Sequence, residues 1–190
     1  MLSDPHTLIV WLWLAFGIVW TAAALSTKQT RRRETAVASV LHLAILMLAL
    51  GLVFEAPLRP GLLNAFFIAR TPVVEWIGVG LTAAGLGVAV FARAMLGRNW
   101  SGTVTVKEGH QLIRRGPYAL VRHPIYSGLA LAMLGTAIFY ARVGALGGFA
   151  LALFAWRIKS RAEETFMEQE FGAEYAEYKR RVKALIPWVW

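Results

Sequence analysis

The chain has 190 residues, enough for one unit, with 57% hydrophobic and only 16% charged residues. A soluble domain carries about 25% charged residues, so the composition excludes an ordinary water-soluble core and points to a bilayer as solvent. The absence of cysteine excludes disulfides, zinc thiolates, iron–sulfur ligation and a cysteine nucleophile. The net charge of +9 sits in segments flanking apolar runs, the pattern of membrane orientation and anionic lipid rather than of nucleic acid.

A helix needs about 20 apolar residues to cross about 30 Å of hydrocarbon. The first such run is Leu8–Leu25. It has Asp4 and no Lys or Arg before it, while Lys28, Arg31, Arg32 and Arg33 follow. A signal peptide has the opposite polarity, so this is read as an uncleaved span with its N-terminus outside. The next runs are Ala36–Phe54 and Val73–Ala92. Two shorter ones follow, Ile125–Tyr140 and Val143–Trp156, separated only by Ala141–Arg142. They predict a tight helical hairpin that does not reach the far surface squarely.

The basic residues orient these five spans. With residues 26–35 inside, the segment 55–71 lies outside and 93–124 inside. The inner loop then holds Arg93, Arg98, Lys107, Arg114, Arg115 and Arg122. The outer side keeps Arg59, Arg70 and Arg142, and the basic C-terminal segment 157–190 is cytoplasmic. In that segment Met167, Phe171, Tyr175, Tyr178, Val182 and Leu185 recur every three or four residues. That spacing predicts an amphipathic helix lying on the membrane or capping the bundle, with a bend or break at Gly172. The expected fold class is all-α and polytopic. It is a single membrane unit over residues 1–190, with three spans in 1–92 and a core in 93–190.

Several residues invite a chemical reading and do not support one. Gly78-Val79-Gly80-Leu81-Thr82-Ala83 fits a loose dinucleotide fingerprint, but it lies inside an apolar span with no strand before it. Gly80, Ala84 and Gly87 are expected instead to let helices approach closely. His6 and His42 have no partner at metal-ligand spacing, and no metal site is expected. Glu75 reads as an interfacial carboxylate near the outer end of the third span.

The informative stretch runs from Gly116-Pro117-Tyr118 through Val121-Arg122-His123-Pro124 to Tyr126 and Gly128. Pro124 suits the first turn of a helix, so the fourth span starts there. Its free amides, with Arg114, Arg115 and Arg122 nearby, make either a seat for an anion or simply a basic helix start obeying the positive-inside rule. Arg161-Ala162-Glu163-Glu164 follows the hairpin, so antiparallel packing returns these carboxylates toward His123. Alone, they read as a solvated helix start.

Taken with Phe171-Gly172, Glu174-Tyr175, Tyr178, Val182 and Leu185-Ile186-Pro187, these stretches resemble the isoprenylcysteine carboxyl methyltransferase and phospholipid methyltransferase superfamily. The resemblance covers about Asn99 to Pro187, with Lys183 departing from a proline common in that family. It implies a helical methyltransferase with an S-adenosylmethionine pocket at the cytoplasmic face. His123, Pro124, Tyr126 and Gly128 would line that pocket, with Tyr118 and Val121 beside it and Glu163 and Glu164 completing it. Arg161 would orient a substrate or cofactor carboxylate. The implied substrate is lipophilic, most directly a carboxylate of isoprenylcysteine type. A phospholipid headgroup amine and a non-catalytic lipid-binding or transport-associated role are the alternatives.

Overall fold

A computed structural model describes residues 4–24, 30–33, 35–54, 61–97, 105–107 and 112–187. Lys28, Arg59 and Arg98, used above for orientation, and Asn99, where the resemblance begins, lie outside the described residues.

The apolar runs form helices α1 (Pro5–Ala24), α2 (Ala36–Val53), α3 (Pro72–Leu96), α4 (Pro124–Tyr140) and α5 (Val143–Phe171). Their starts are chemically marked. Asp4 accepts hydrogen bonds from the Thr7 amide and hydroxyl, both at 2.9 Å. The hydroxyls of Thr35 and Thr71 cap α2 and α3 by accepting from Ala38 N and Val74 N. Pro72 and Pro124 occupy the first turns of α3 and α4, where a missing amide hydrogen costs nothing.

Four of these helices are long and apolar enough to span a bilayer, and α4 is a shorter apolar helix. Together they make a multi-pass integral membrane protein. Ala141 takes a left-handed conformation, φ 56°, and turns the chain directly from α4 into α5, as the break between the two runs implied.

One expectation needs correction. The fifth helix does not stop at Trp156: α5 is continuous for 29 residues, because neither glycine nor proline occurs between Trp156 and Gly172. At ~1.5 Å per residue it is roughly 43 Å long, so its apolar first half lies in the bilayer and its charged second half projects beyond it. Gly172, at φ 51°, ends it and leads into α6 (Ala173–Arg181). The anticipated amphipathic helix is therefore two pieces. The fold is otherwise all-α, as expected, with one short ribbon added. Strands β1 (Thr30–Arg33) and β2 (Thr105–Lys107) pair antiparallel, tying together two loops that the charge pattern places on one side of the membrane.

The central helix is α4. It packs on α3 and α5, while α1 lies against α3 and α2 against α5. The α3–α4 seam is built from small residues. A Cβ on Gly85 would lie 2.4 Å from Ala132 N, and one on Gly135 would lie 2.5 Å from Thr82 N. Gly78 and Gly128 are equally crowded by the facing backbone. By contrast, Gly80 and Gly87 face open space and Ala84 is exposed. The expected packing face was the wrong one, because the real seam repeats as Gly78, Thr82, Gly85 and Ala89 on another side of the helix. Within that seam Thr82 Oγ1 lies 3.1 Å from Thr136 Oγ1, which accepts from Trp13 Nε1 at 3.0 Å. This links α1, α3 and α4.

Gly85→Ala should therefore lower the thermal midpoint in detergent, since overpacking a tight contact costs about 1–3 kcal/mol. Gly80→Ala should be neutral or slightly stabilising, by at most about 1 kcal/mol of helix propensity. Equal effects of the two substitutions would place the seam elsewhere.

Candidate active site

The site lies where α4 begins, and three pieces of chain converge on it. The first is a 3-10 turn, Gly116–Ala119, made possible by the left-handed Gly116, φ 62°. Its Tyr118 is buried, with the hydroxyl donating to Ala92 O of α3. The second is the segment after α6. It runs parallel to residues 121–123 through a Val121–Lys183 bridge. Arg122 N donates to Lys183 O at 2.8 Å and His123 N to Ala184 O at 3.0 Å. Ser127 Oγ donates to Leu185 O at 2.5 Å, and Tyr178 Oη to Tyr118 O at 2.5 Å. Burial pushes the Tyr178 phenol up to about 12, which keeps it a donor. The apolar face of the C-terminal segment thus caps the bundle, with Tyr175, Tyr178 and Leu185 buried. The third piece is the projecting half of α5, which carries Glu163 and Glu164.

These pieces assemble one charged network around His123. His123 Nδ1 lies 3.3 Å from Glu163 Oε2, and His123 Nε2 lies 3.2 Å from Glu164 Oε1. Ionised carboxylates only accept, so an imidazole facing one through each nitrogen donates from both and is the imidazolium. Glu164 is also held by Arg122, whose Nε and Nη2 donate to Oε1 at 3.1 and 2.6 Å. Lys179 Nζ stands 3.1 Å from Glu164 Oε2 and 2.8 Å from Glu168 Oε1. Arg122 Nη1 donates in addition to the carbonyls of Lys179 and Val182.

Glu163 is placed differently. Tyr126 Oη donates to its Oε1 at 2.5 Å. The Tyr126 ring stacks between His123, at 5.7 Å, and Trp156, at 6.3 Å. The Glu163 side chain keeps 24% of its surface accessible, against 6% for Glu164.

The network lies outside the apolar spans, and its titration follows from its contacts. Burial presses His123 down from its ordinary 6.5, but its hydrogen bonds to Glu163 and Glu164 outweigh burial and hold it above that value. Burial likewise works against charge on both glutamates. The His123 contacts, with Arg122 on Glu164 and Tyr126 on Glu163, hold both below the ordinary 4.5. The histidine contribution to stability is complete below pH 6.5 and is lost as pH rises through its raised value. The glutamate contributions are complete above pH 4.5 and are lost as pH falls through their lowered values. The stability difference between the protein and His123→Gln should be largest between those limits and shrink on both sides. Thermal midpoints against pH measure it, and a difference independent of pH would show that His123 is not charged in the fold.

Of the residues singled out in the sequence, His123, Tyr126, Glu163 and Glu164 come together directly. Tyr118 and Val121 are buried in the adjoining turn, and Pro124 starts α4 beneath them. Gly128 lies one turn on, in the seam against Gly85 and Ala89, and contributes closeness of α3 rather than a wall of the network. Arg161 is exposed, and the guanidinium inside the network is that of Arg122. The arginines before α4 do not form an open anion seat as a group. Arg122 is taken by Glu164, and Arg114 pairs with Glu174 at 2.8 Å. Sequence reasoning set Arg122 only beside a candidate anion seat, not among the pocket residues, and left Lys179 out. Arg122 adjoins His123 in the informative stretch, which is a usable signal. Lys179 lies beyond the Gly172 break, and nothing local ties it to Glu164.

The family profile described as phospholipid methyltransferase matches residues 73–174. Protein-S-isoprenylcysteine O-methyltransferase B of Arabidopsis thaliana is 30% identical over 154 residues, 77% of this chain and 73% of that protein. The human protein-S-isoprenylcysteine O-methyltransferase is 32% identical over 135 residues, 67% of this chain and 47% of that protein. The solved structure of a eukaryotic intramembrane Ras methyltransferase, an isoprenylcysteine carboxyl methyltransferase, superposes with a TM-score of 0.53 at 18% identity. It covers 100% of this chain and 70% of that one, a likeness of fold. With the profile covering more than half of its length, this chain belongs to the phospholipid methyltransferase family, the superfamily of integral membrane methyltransferases that includes the isoprenylcysteine O-methyltransferases.

Proposed function

We propose that the protein transfers a methyl group from S-adenosylmethionine to the carboxylate of a lipophilic, isoprenylcysteine-type substrate at the membrane face where α4 begins. The observation that carries this reading is the pairing of Glu163 with Tyr126 and His123. It is a partly accessible carboxylate, fixed by two donors, beside a stack of aromatic rings. That donor set fits a cationic, partly aromatic molecule. Bound there, S-adenosylmethionine supplies a methyl group already activated on a sulfonium.

The chain's own residues divide the work. Glu163 offers the negative charge that holds a cation. Tyr126 and His123 fix its direction. Glu164, surrounded by Arg122, His123 and Lys179, anchors His123 rather than meeting a ligand. Tyr118, Val121 and Pro124 shape the adjoining wall, and Gly128 braces it by letting α3 approach closely. Arg161, exposed two residues before Glu163, orients the acidic substrate. A carboxylate nucleophile needs no base. An amine must lose a proton, and Glu163 would accept it. The site's side chains come from residues 118–185, which supports residues 93–190 as the core and the three preceding spans as its scaffold.

The reading also carries an orientation, with the N-terminus outside and the site and C-terminus in the cytoplasm. It rests on the basic loops, and a reporter fused after Trp190 that proved external would overturn it. Titration calorimetry of the purified protein with S-adenosylhomocysteine tests the cofactor, and absence of binding would overturn the enzymatic reading. Product analysis with labelled methyl donor should then find a methyl ester on a prenylated cysteine. Label on the amine of phosphatidylethanolamine would instead favour headgroup methylation, the reading suggested by the family's description.

A further inference from the structure

We infer that residues 61–68 form an apolar plug embedded in the lipid leaflet opposite the active site, where they cover Arg142 and the α4–α5 turn. The charge pattern places this segment on the outer side, within residues 55–71. Its sequence, Gly-Leu-Leu-Asn-Ala-Phe-Phe-Ile, has no charged residue. Yet Leu62 is 75% exposed, Phe66 52% and Ile68 43%. Large apolar side chains this dense and this exposed need a partner other than water.

Three observations make that partner lipid. First, α4 has 17 residues, a rise of roughly 25 Å against about 30 Å of hydrocarbon. With its first turn at the active-site surface, the turn at Ala141–Arg142 falls short of the opposite surface. Second, the segment is fastened to that turn. Phe67 N donates to Ala141 O at 3.0 Å, and Val143 N donates to Ala65 O at 2.9 Å. The Arg142 guanidinium donates to Asn64 O and sits 4.0 Å from the centre of the Phe66 ring. An arginine below the membrane surface is costly unless its charge meets carbonyls or a ring face, and the segment supplies both. Third, the apolar surface continues onto the start of α3, where Val73, Trp76 and Ile77 are exposed. Beside it, Arg70 and Glu75 are paired at 2.8 Å, with His6 3.7 Å from Glu75. The chain thus seals the end of the bundle away from the site with apolar side chains.

The chain has no cysteine, so single nitroxide labels test this directly in phosphatidylcholine vesicles. Labels at Leu62→Cys and Phe66→Cys should collide with oxygen in preference to a water-soluble nickel chelate. Their ratio should resemble that of mid-helix Val88→Cys and be several-fold higher than that of Glu177→Cys on α6. Leu62 is so exposed that its replacement leaves the fold intact even if Phe66→Cys does not. Nickel-dominated collisions at position 62 would return the segment to water and overturn the inference. Low access to both reagents with dipolar broadening between labels would also overturn it, by assigning the patch to contact between two copies.

Discussion

Glu163→Gln is expected to reduce methyl transfer by about 2- to 30-fold while the protein remains folded. The side chain keeps its size and an oxygen that can still accept from Tyr126, whose hydroxyl now lies 2.5 Å away. What it loses is the charge. Hydrogen bonds to a charged group are worth about 1.5–3 kcal/mol, against about 1 kcal/mol for neutral ones, and each 1.4 kcal/mol is a factor of ten. The loss should appear as weaker S-adenosylhomocysteine binding in calorimetry and a parallel fall in turnover. Full activity in the folded variant would remove Glu163 from the site.

Its neighbour should behave in the opposite manner. Glu164→Ala is expected to destabilise the protein by about 3–5 kcal/mol, the cost of leaving a buried charge without its partner. The guanidinium of Arg122 and the carboxylate of Glu164 are both nearly buried, at 8% and 6%, so water cannot replace the lost contact. Thermal or denaturant unfolding in detergent measures the change. Arg122→Ala should cost a similar amount, and the double variant should cost clearly less than the sum. A loss within about 0.5 kcal/mol, as at an ordinary exposed position, would show that the network does not hold the C-terminal segment. The expected pair of results separates adjacent glutamates with the same chemistry by role, one read in turnover and the other in stability.

Much of this architecture was legible in the residues. The apolar runs mark the helices, because hydropathy over about 20 residues is a local property that the bilayer reads directly. Pro124 marks the start of α4, Ala141–Arg142 the turn and Gly172 the break, since each is a backbone event decided within a few residues. The meeting of His123 and Tyr126 with Glu163 and Glu164 was legible for a topological reason. Two consecutive helices joined by a tight turn must return their far ends to the same side.

Other features required the assembled chain. Which stripe of small residues faces a neighbour depends on the rotation of α3 about its axis. Composition leaves that open, because Gly80, Ala84 and Gly87 are as small as Gly78, Gly85 and Ala89. The course of α5 past Trp156 was hidden by its change from apolar to charged residues, which ends a span without ending a helix. Arg122 and Lys179 reach Glu164 from 42 and 15 residues away along the chain, and residues 61–68 fold back over Arg142. Such partners are chosen by the shape and charge of surfaces that exist only once the helices have packed. Local pattern therefore specifies the elements and their order, while the pairing of charges and the facing of helices wait on long-range contact.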